Sequence, residues 1–176
     1  MLQSRSLKLI LKRDYTMNND TINNITYDEI SIGQTATSTN TLTTNDIALF
    51  GAVSGDVNPA HFDAEYAAQT MFKAVIAHGM WSGSLISAVL GTQLPGPGTI
   101  YLEQSLKFSR PVYLGDQITT QITVLEKKEK NRVVLECKCI NQKNEIVTSG
   151  TAVVMAPTVK ISRPKIHLST PQVAIN

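Results

Sequence analysis

Four stretches in the second half of the chain are strand-like, and one stretch ahead of them is apolar or small at almost every position. In 117–126, Ile118, Thr120, Ile122 and Val124 fall on one face; in 132–140, Val133, Leu135, Cys137 and Cys139 do. A period of two sends successive side chains to opposite faces, so both segments read as strands with one buried face. Segments 99–109 and 145–155 complete the set. The links 127–131 and 141–145 are polar and short, as antiparallel hairpin connections are.

The apolar stretch runs from His78 to Leu94 with no charge on any side. A helix of that composition, too short to cross a bilayer, is expected to be wrapped by protein, and a curved sheet would do it. Pro95-Gly96-Pro97-Gly98 ends it. Upstream, Thr43 or Thr44 caps a helix through Ile47, Ala48, Leu49 and Val53 that stops at Gly55. Asp63 caps a shorter one, 64–69, and the Thr/Ser-rich segment 30–39 reads as a first strand. One central helix preceding an antiparallel sheet, with no βαβ alternation and no repeat, makes the class α+β.

At 176 residues the chain is one domain's worth. A net charge of +2 and 6 % aromatic residues offer neither a nucleic-acid surface nor a stacking platform. Cys137 and Cys139 share a strand face about 7 Å apart, too far for an unstrained mutual disulfide. They read as buried apolar residues in a reducing compartment, and with no second Cys/His cluster no metal is expected. Residues 1–26 read as a disordered leader, 27–156 as the folded domain and 157–176 as a tail or linker stub. Within the leader, the basic amphipathic 1–16 fits an organellar transit peptide; the preferred alternative is a start at Met17 with a dispensable extension.

The chemistry concentrates in Ser54-Gly-Asp-Val-Asn-Pro-Ala-His61. Gly55 and Asn58-Pro59 exclude regular helix or strand here and force a turn that can aim Asp56 and His61 at one point. A carboxylate beside an imidazole can move two protons in one reaction. Taken singly, Asp56 would be a turn carboxylate and His61 a histidine bonded to a backbone carbonyl.

The run Phe50-Gly-Ala-Val-Ser-Gly-Asp56-Val-Asn58-Pro59-Ala-His61, then Ala77-His78-Gly79-Met80, then Gln104-Ser-Leu-Lys-Phe-Ser-Arg-Pro-Val-Tyr-Leu-Gly-Asp116 resembles the MaoC-like (R)-specific enoyl-CoA hydratases. The resemblance spans about 30–154, with no departure at the matched acid–base positions. It implies the hot-dog fold, an antiparallel sheet around a long helix. It further implies that Asp56 and His61 hold the water that adds to the double bond, Asp56 as base and His61 as the acid protonating the α-carbon.

The roles of Gly79 and Ser87 are carried over by the same resemblance, and those of the other residues are read from their chemistry and position. The Gly79 amide, at a helix start where no side chain intervenes, meets the substrate carbonyl oxygen. Asn58 anchors the loop, His78 packs or orients, and Ser87, eight residues beyond Gly79, hydrogen-bonds near the site. Leu90 is a wall of the acyl pocket or simply core. Arg110, Lys107 and Lys73 are candidates for the coenzyme A phosphates, with solvated surface as the alternative for each.

The expected activity is hydration of trans-2-enoyl-CoA to (3R)-3-hydroxyacyl-CoA, with no cofactor and no metal, by a cytoplasmic homodimer. The alternatives are a 3-hydroxyacyl-[acyl-carrier-protein] dehydratase and a non-catalytic acyl-thioester-binding subunit.

Overall fold

The computed structural model describes residues 20–174. Strands β5 (Gln117–Lys128), β6 (Arg132–Ile140) and β7 (Ile146–Met155) form the middle of an antiparallel sheet, with β2 (Thr35–Thr41) flanking β5 and β3 (Ile100–Gln104) flanking β7. A two-residue strand, β4 (Lys107–Phe108), also pairs with β7. Expected as one strand, 99–109 is split between β3 and β4 at Ser105-Leu106. There the Ser105 carbonyl comes so close to Gly150 that a Cβ on that residue would collide with it.

Helix α4 (Gly79–Thr92) lies on the concave face, packed on β5 with further contacts to β2 and β6. Ile86, Val89 and Leu90 join Ile118, Ile122, Val133 and Leu135 in one buried cluster. Thr120, Cys137 and Cys139 are buried as the period-two reading placed them. This is the hot-dog arrangement. The helix is, however, not enclosed all round: Met80, Ser84, Ser87, Ala88 and Gly91 are exposed, because the sheet covers only one side. No helix among the described residues is long and apolar enough to cross a membrane.

Two boundaries differ from expectation. The first strand begins at Thr35, after a 3-10 turn at Tyr27–Glu29. At the ends, β1 (Thr21–Asn23) pairs with β8 (Ser162–Pro164), so 20–26 and 157–164 pack on the domain instead of trailing from it. Asn24, 1 % exposed, fastens them: its amide donates to the Val159 carbonyl and its oxygen accepts from the Ile161 N–H. The leader 1–16 lies outside the described residues.

Candidate active site

Helix α1 (Thr44–Ser54) starts on a capping box between Thr43 and Asp46 and ends at Gly55, whose φ of 76° is the left-handed cap that glycine adopts without strain. Asp56 therefore leaves the helix sharply. The next segment is not the irregular turn expected from Asn58-Pro59. Pro59–Phe62 forms a single helical turn, α2, because proline at the first helical position loses no hydrogen bond and Asn58 caps it. The Asn58 side-chain oxygen accepts from the Ala60 N–H at 3.0 Å, and its own N–H donates to Asp56 Oδ1 at 3.2 Å. Helix α3 (Ala64–Gln69) follows, capped by Asp63.

These bonds leave one free atom on each acid–base group. Asp56 Oδ1 is occupied by Asn58, so Oδ2 faces His61. His61 Nδ1 lies 2.9 Å from the Ile76 carbonyl, which only accepts, so Nδ1 carries a proton and Nε2 is the nitrogen left facing Asp56. Oδ2 and Nε2 are 4.0 Å apart. That is too long for a direct hydrogen bond and suits a bridging water.

His78 is the residue that ties this arrangement together. Its Nε2–H donates to the Asp56 carbonyl at 2.9 Å, and its ring stacks on His61 with centroids 3.9 Å apart. Phe50 and Phe62 flank it with centroids at 5.0 and 5.8 Å. Its Nδ1 is buried and has no hydrogen-bond partner among the described residues. Asp56, His61 and His78 lie close enough to suggest a metal cluster. The His61 and His78 rings stack with their planes 30° apart, and His78 Nε2 is already engaged by the Asp56 carbonyl.

Gly79 opens α4 directly after His78 and, with His61, lines a cavity of about 330 Å³. A Cβ here would stand 3.3 Å from the Phe108 ring, so the missing side chain keeps the helix start open beside that ring. Arg110 borders the same cavity but is paired with Glu145 at 3.2 Å. Lys73 and Lys107 do not line it.

Ser87 is elsewhere. It lines a second cavity of about 490 Å³ with Phe50, Met80, Gly83, Leu102 and Leu106. The eight-residue spacing puts it near the Gly79 face, yet Ser82, one turn after Gly79, reaches the Gly79 cavity and Ser87 does not. Leu90, 2 % exposed, sits in the core. Sequence reasoning missed Ser82 and Thr148, which line the Gly79 cavity while almost wholly buried; small polar residues on apolar elements gave no signal. Burial pushes the Cys137 thiol up to about 11 and raises that of Cys139, so neither offers a thiolate at neutral pH.

The model of the MaoC-like domain matches residues 29–145. The chain belongs to the MaoC-like domain family. It is 47 % identical to the (R)-specific enoyl-CoA hydratase of Rhodospirillum rubrum, over 74 % of this chain and 91 % of that protein. To the 3-hydroxybutyryl-CoA dehydratase of Methylorubrum extorquens it is 37 % identical, over 78 % and 88 %. The unliganded R-hydratase from Pseudomonas aeruginosa superposes with a TM-score of 0.83 at 50 % identity, covering 89 % of this chain and all of that one. That coverage is wider than the 29–145 of the domain model.

Proposed function

We propose that this chain is a hydro-lyase, an (R)-specific enoyl-CoA hydratase. The observation that carries the reading is the 4.0 Å gap between Asp56 Oδ2 and His61 Nε2, with the other polar atom of each group already engaged. A water in that gap donates to Oδ2 and lies within reach of Nε2. The Gly79 N–H at the positive end of α4 receives the thioester oxygen as negative charge develops on it. Asp56 takes a proton from the water, hydroxide adds to the β-carbon, and His61, in its imidazolium form, delivers a proton to the α-carbon. The pair holds one proton before and after, so its reverse is the dehydration. Conjugation to the thioester activates both carbons, so the step calls on no cofactor or metal.

Asn58 holds the carboxylate, His78 holds the Asp56 backbone, and Arg110 stands at the cavity where a phosphate-bearing carrier would enter. The protein acts as a homodimer. Support comes from β3, whose outer edge has no partner among the described residues and whose Ile100, Tyr101 and Leu102 are exposed, and from the open face of α4. Joining two β3 edges extends the sheet and covers that face. The two free, buried cysteines fit a reducing compartment such as the cytoplasm.

The deciding experiment follows the enoyl absorbance of crotonyl-CoA, with chiral analysis of the product. Loss of absorbance with a (3R) product is expected. No turnover on the coenzyme A thioester, with turnover on the acyl-carrier-protein form, would replace this reading by the dehydratase one. No turnover on either would leave a non-catalytic thioester-binding subunit.

A further inference from the structure

One cavity, of about 330 Å³, is lined by His61 and Gly79 and also by Arg110. The first two are the groups to which the proposed mechanism brings the thioester, and the third is the one offered to the carrier's phosphates. The part of the substrate between thioester and phosphates therefore belongs in this space. Met80, beside Gly79, and Phe50, against His78, line the other cavity and leave that one to the acyl end. Two hydroxyl residues line the first cavity: Ser82, 1 % exposed and three residues after Gly79 on α4, and Thr148, 2 % exposed, on β7. Among the described residues neither hydroxyl makes a hydrogen bond, and neither oxygen is sealed in as His78 Nδ1 is.

The two are held side by side from behind. Thr120, Cys139 and Thr148 are direct cross-strand partners on β5, β6 and β7, and all three are buried. Thr120 Oγ1 and Cys139 Sγ are 3.6 Å apart, and the Cys139 thiol donates to the Ser82 carbonyl at 3.6 Å. Ser82 thus sits over Cys139, whose neighbour across the sheet is Thr148. Helix and sheet each bring one free hydroxyl to the same part of the wall. Buried hydroxyls left without a partner are costly, and a group that serves both in one place offers a donor and an acceptor close together. A secondary amide does so with its N–H and C=O.

From these observations we infer that Ser82 and Thr148 bind the first amide of the carrier arm, the one two methylenes from the thioester sulfur. The inference rests on the hydratase reading and deepens it, naming the residues that recognise the leaving side of the substrate. Three residues of α-helix rise about 4.5 Å, which carries the wall from the Gly79 N–H to Ser82. Two methylenes carry the substrate over a comparable span from sulfur to amide. With the thioester oxygen on Gly79, the amide lies beside Ser82, one hydroxyl donating to its oxygen and the other accepting from its N–H. A thioester without the amide leaves both hydroxyls buried and unpaired, at a cost of roughly 5- to 150-fold in affinity per group. The same arm is present in coenzyme A and in acyl carrier protein, so this recognition is indifferent to the choice between them.

The test compares kcat/KM on two crotonyl thioesters of equal length, that of N-acetylcysteamine, which keeps the amide, and the S-pentyl one, which replaces it by methylenes. The wild type, Ser82→Ala, Thr148→Val, the double variant and Thr148→Ser are measured on both. The wild type prefers the amide thioester. In the double variant that preference falls at least about 10-fold, through a higher KM for the amide thioester, while Thr148→Ser keeps the wild-type ratio. Where turnover of these short thioesters is too slow, the same ratio is read from their inhibition constants against crotonyl-CoA. No preference in the wild type overturns the assignment. So does an equal loss on both thioesters, the mark of a merely structural role, or an unchanged ratio in a double variant that melts cooperatively. If the valine variant does not fold, Ser82→Ala alone decides: a fall of about 5-fold in the ratio supports the assignment and no fall overturns it. Failure of the wild type to hydrate crotonyl-CoA itself would instead remove the hydratase reading, a pattern distinct from an active enzyme whose variants keep its preference.

Discussion

The His78 imidazole lies face to face with that of His61, 3.9 Å between centroids, while its Nε2–H holds the carbonyl of Asp56. One buried ring therefore contacts both Asp56 and His61, the two groups to which the proposed mechanism gives the proton transfers. His78→Phe keeps a stacking ring but releases the Asp56 carbonyl; His78→Asn keeps a donor but removes the stack. Each is expected to lower kcat by roughly 10- to 100-fold with KM nearly unchanged, the pattern of misplaced catalytic groups. A KM effect with unaltered kcat would show that His78 serves binding and not positioning.

In the proposed mechanism a water bridges Asp56 and His61, and Asp56→Asn and His61→Gln each remove one end of that bridge. Each is expected to cost about 10²–10⁴ in turnover while melting like the wild type. If the two share one water and one proton, as proposed, the double variant should be scarcely slower than either single. Additive losses would mean that they act on separate steps.

What could be read from the sequence was what local periodicity and single-residue geometry encode. The buried faces of β5 and β6 follow from alternation, and the ends of α1 from a threonine cap and a left-handed glycine. The turn α2 escaped because four residues carry no period and the same Asn-Pro pair that breaks a helix also starts one. β1 and β8 escaped because two three-residue strands find each other across some 140 positions, held by one asparagine that resembles its polar neighbours. At the site, Asp56 and His61 lie five residues apart in one turn-forming run and so are visible. The bond from His78 to the Asp56 backbone, and the sorting of Ser82 and Ser87 into different cavities, depend on how α4 is rotated against the sheet. No local pattern contains that.

The exposed β3 edge leads to a concentration test. A homodimer built there should lose activity on dilution below its dissociation constant, and Leu102→Lys, adding a charge to the joined edge, should shift the loss to higher protein concentration. Sedimentation and activity measured on the same dilution series check this. Full turnover by a monomer at micromolar concentration would remove the dimer.

Cys137 gives a stability signature at high pH. Its folded thiol is raised to about 11 from an ordinary 9, so the folded state holds a proton that the unfolded chain releases first. The contribution is fully present below pH 9 and is lost as pH climbs from about 9 to 11. Urea midpoints measured across that window should fall, and Cys137→Ala should fall less steeply although it starts lower. The native protein should also resist a thiol reagent at pH 8 until it unfolds.

Asn24 makes the ends of the chain part of the domain. Buried at 1 % exposure, it gives up two bonds to Val159 and Ile161 if replaced by alanine, and it leaves those backbone groups to find water in a space that has little. Asn24→Ala is expected to cost about 1–3 kcal/mol, read as a lower melting temperature. Truncation to 27–156 removes β1, β8 and the clamp together, and should destabilise more than the point change. Deletion of 1–16 touches none of these contacts and should leave melting and turnover as they are. If the truncated domain melts with the full chain, the β1–β8 ribbon contributes nothing to folding, and the boundary read from the sequence at Ala156 stands after all.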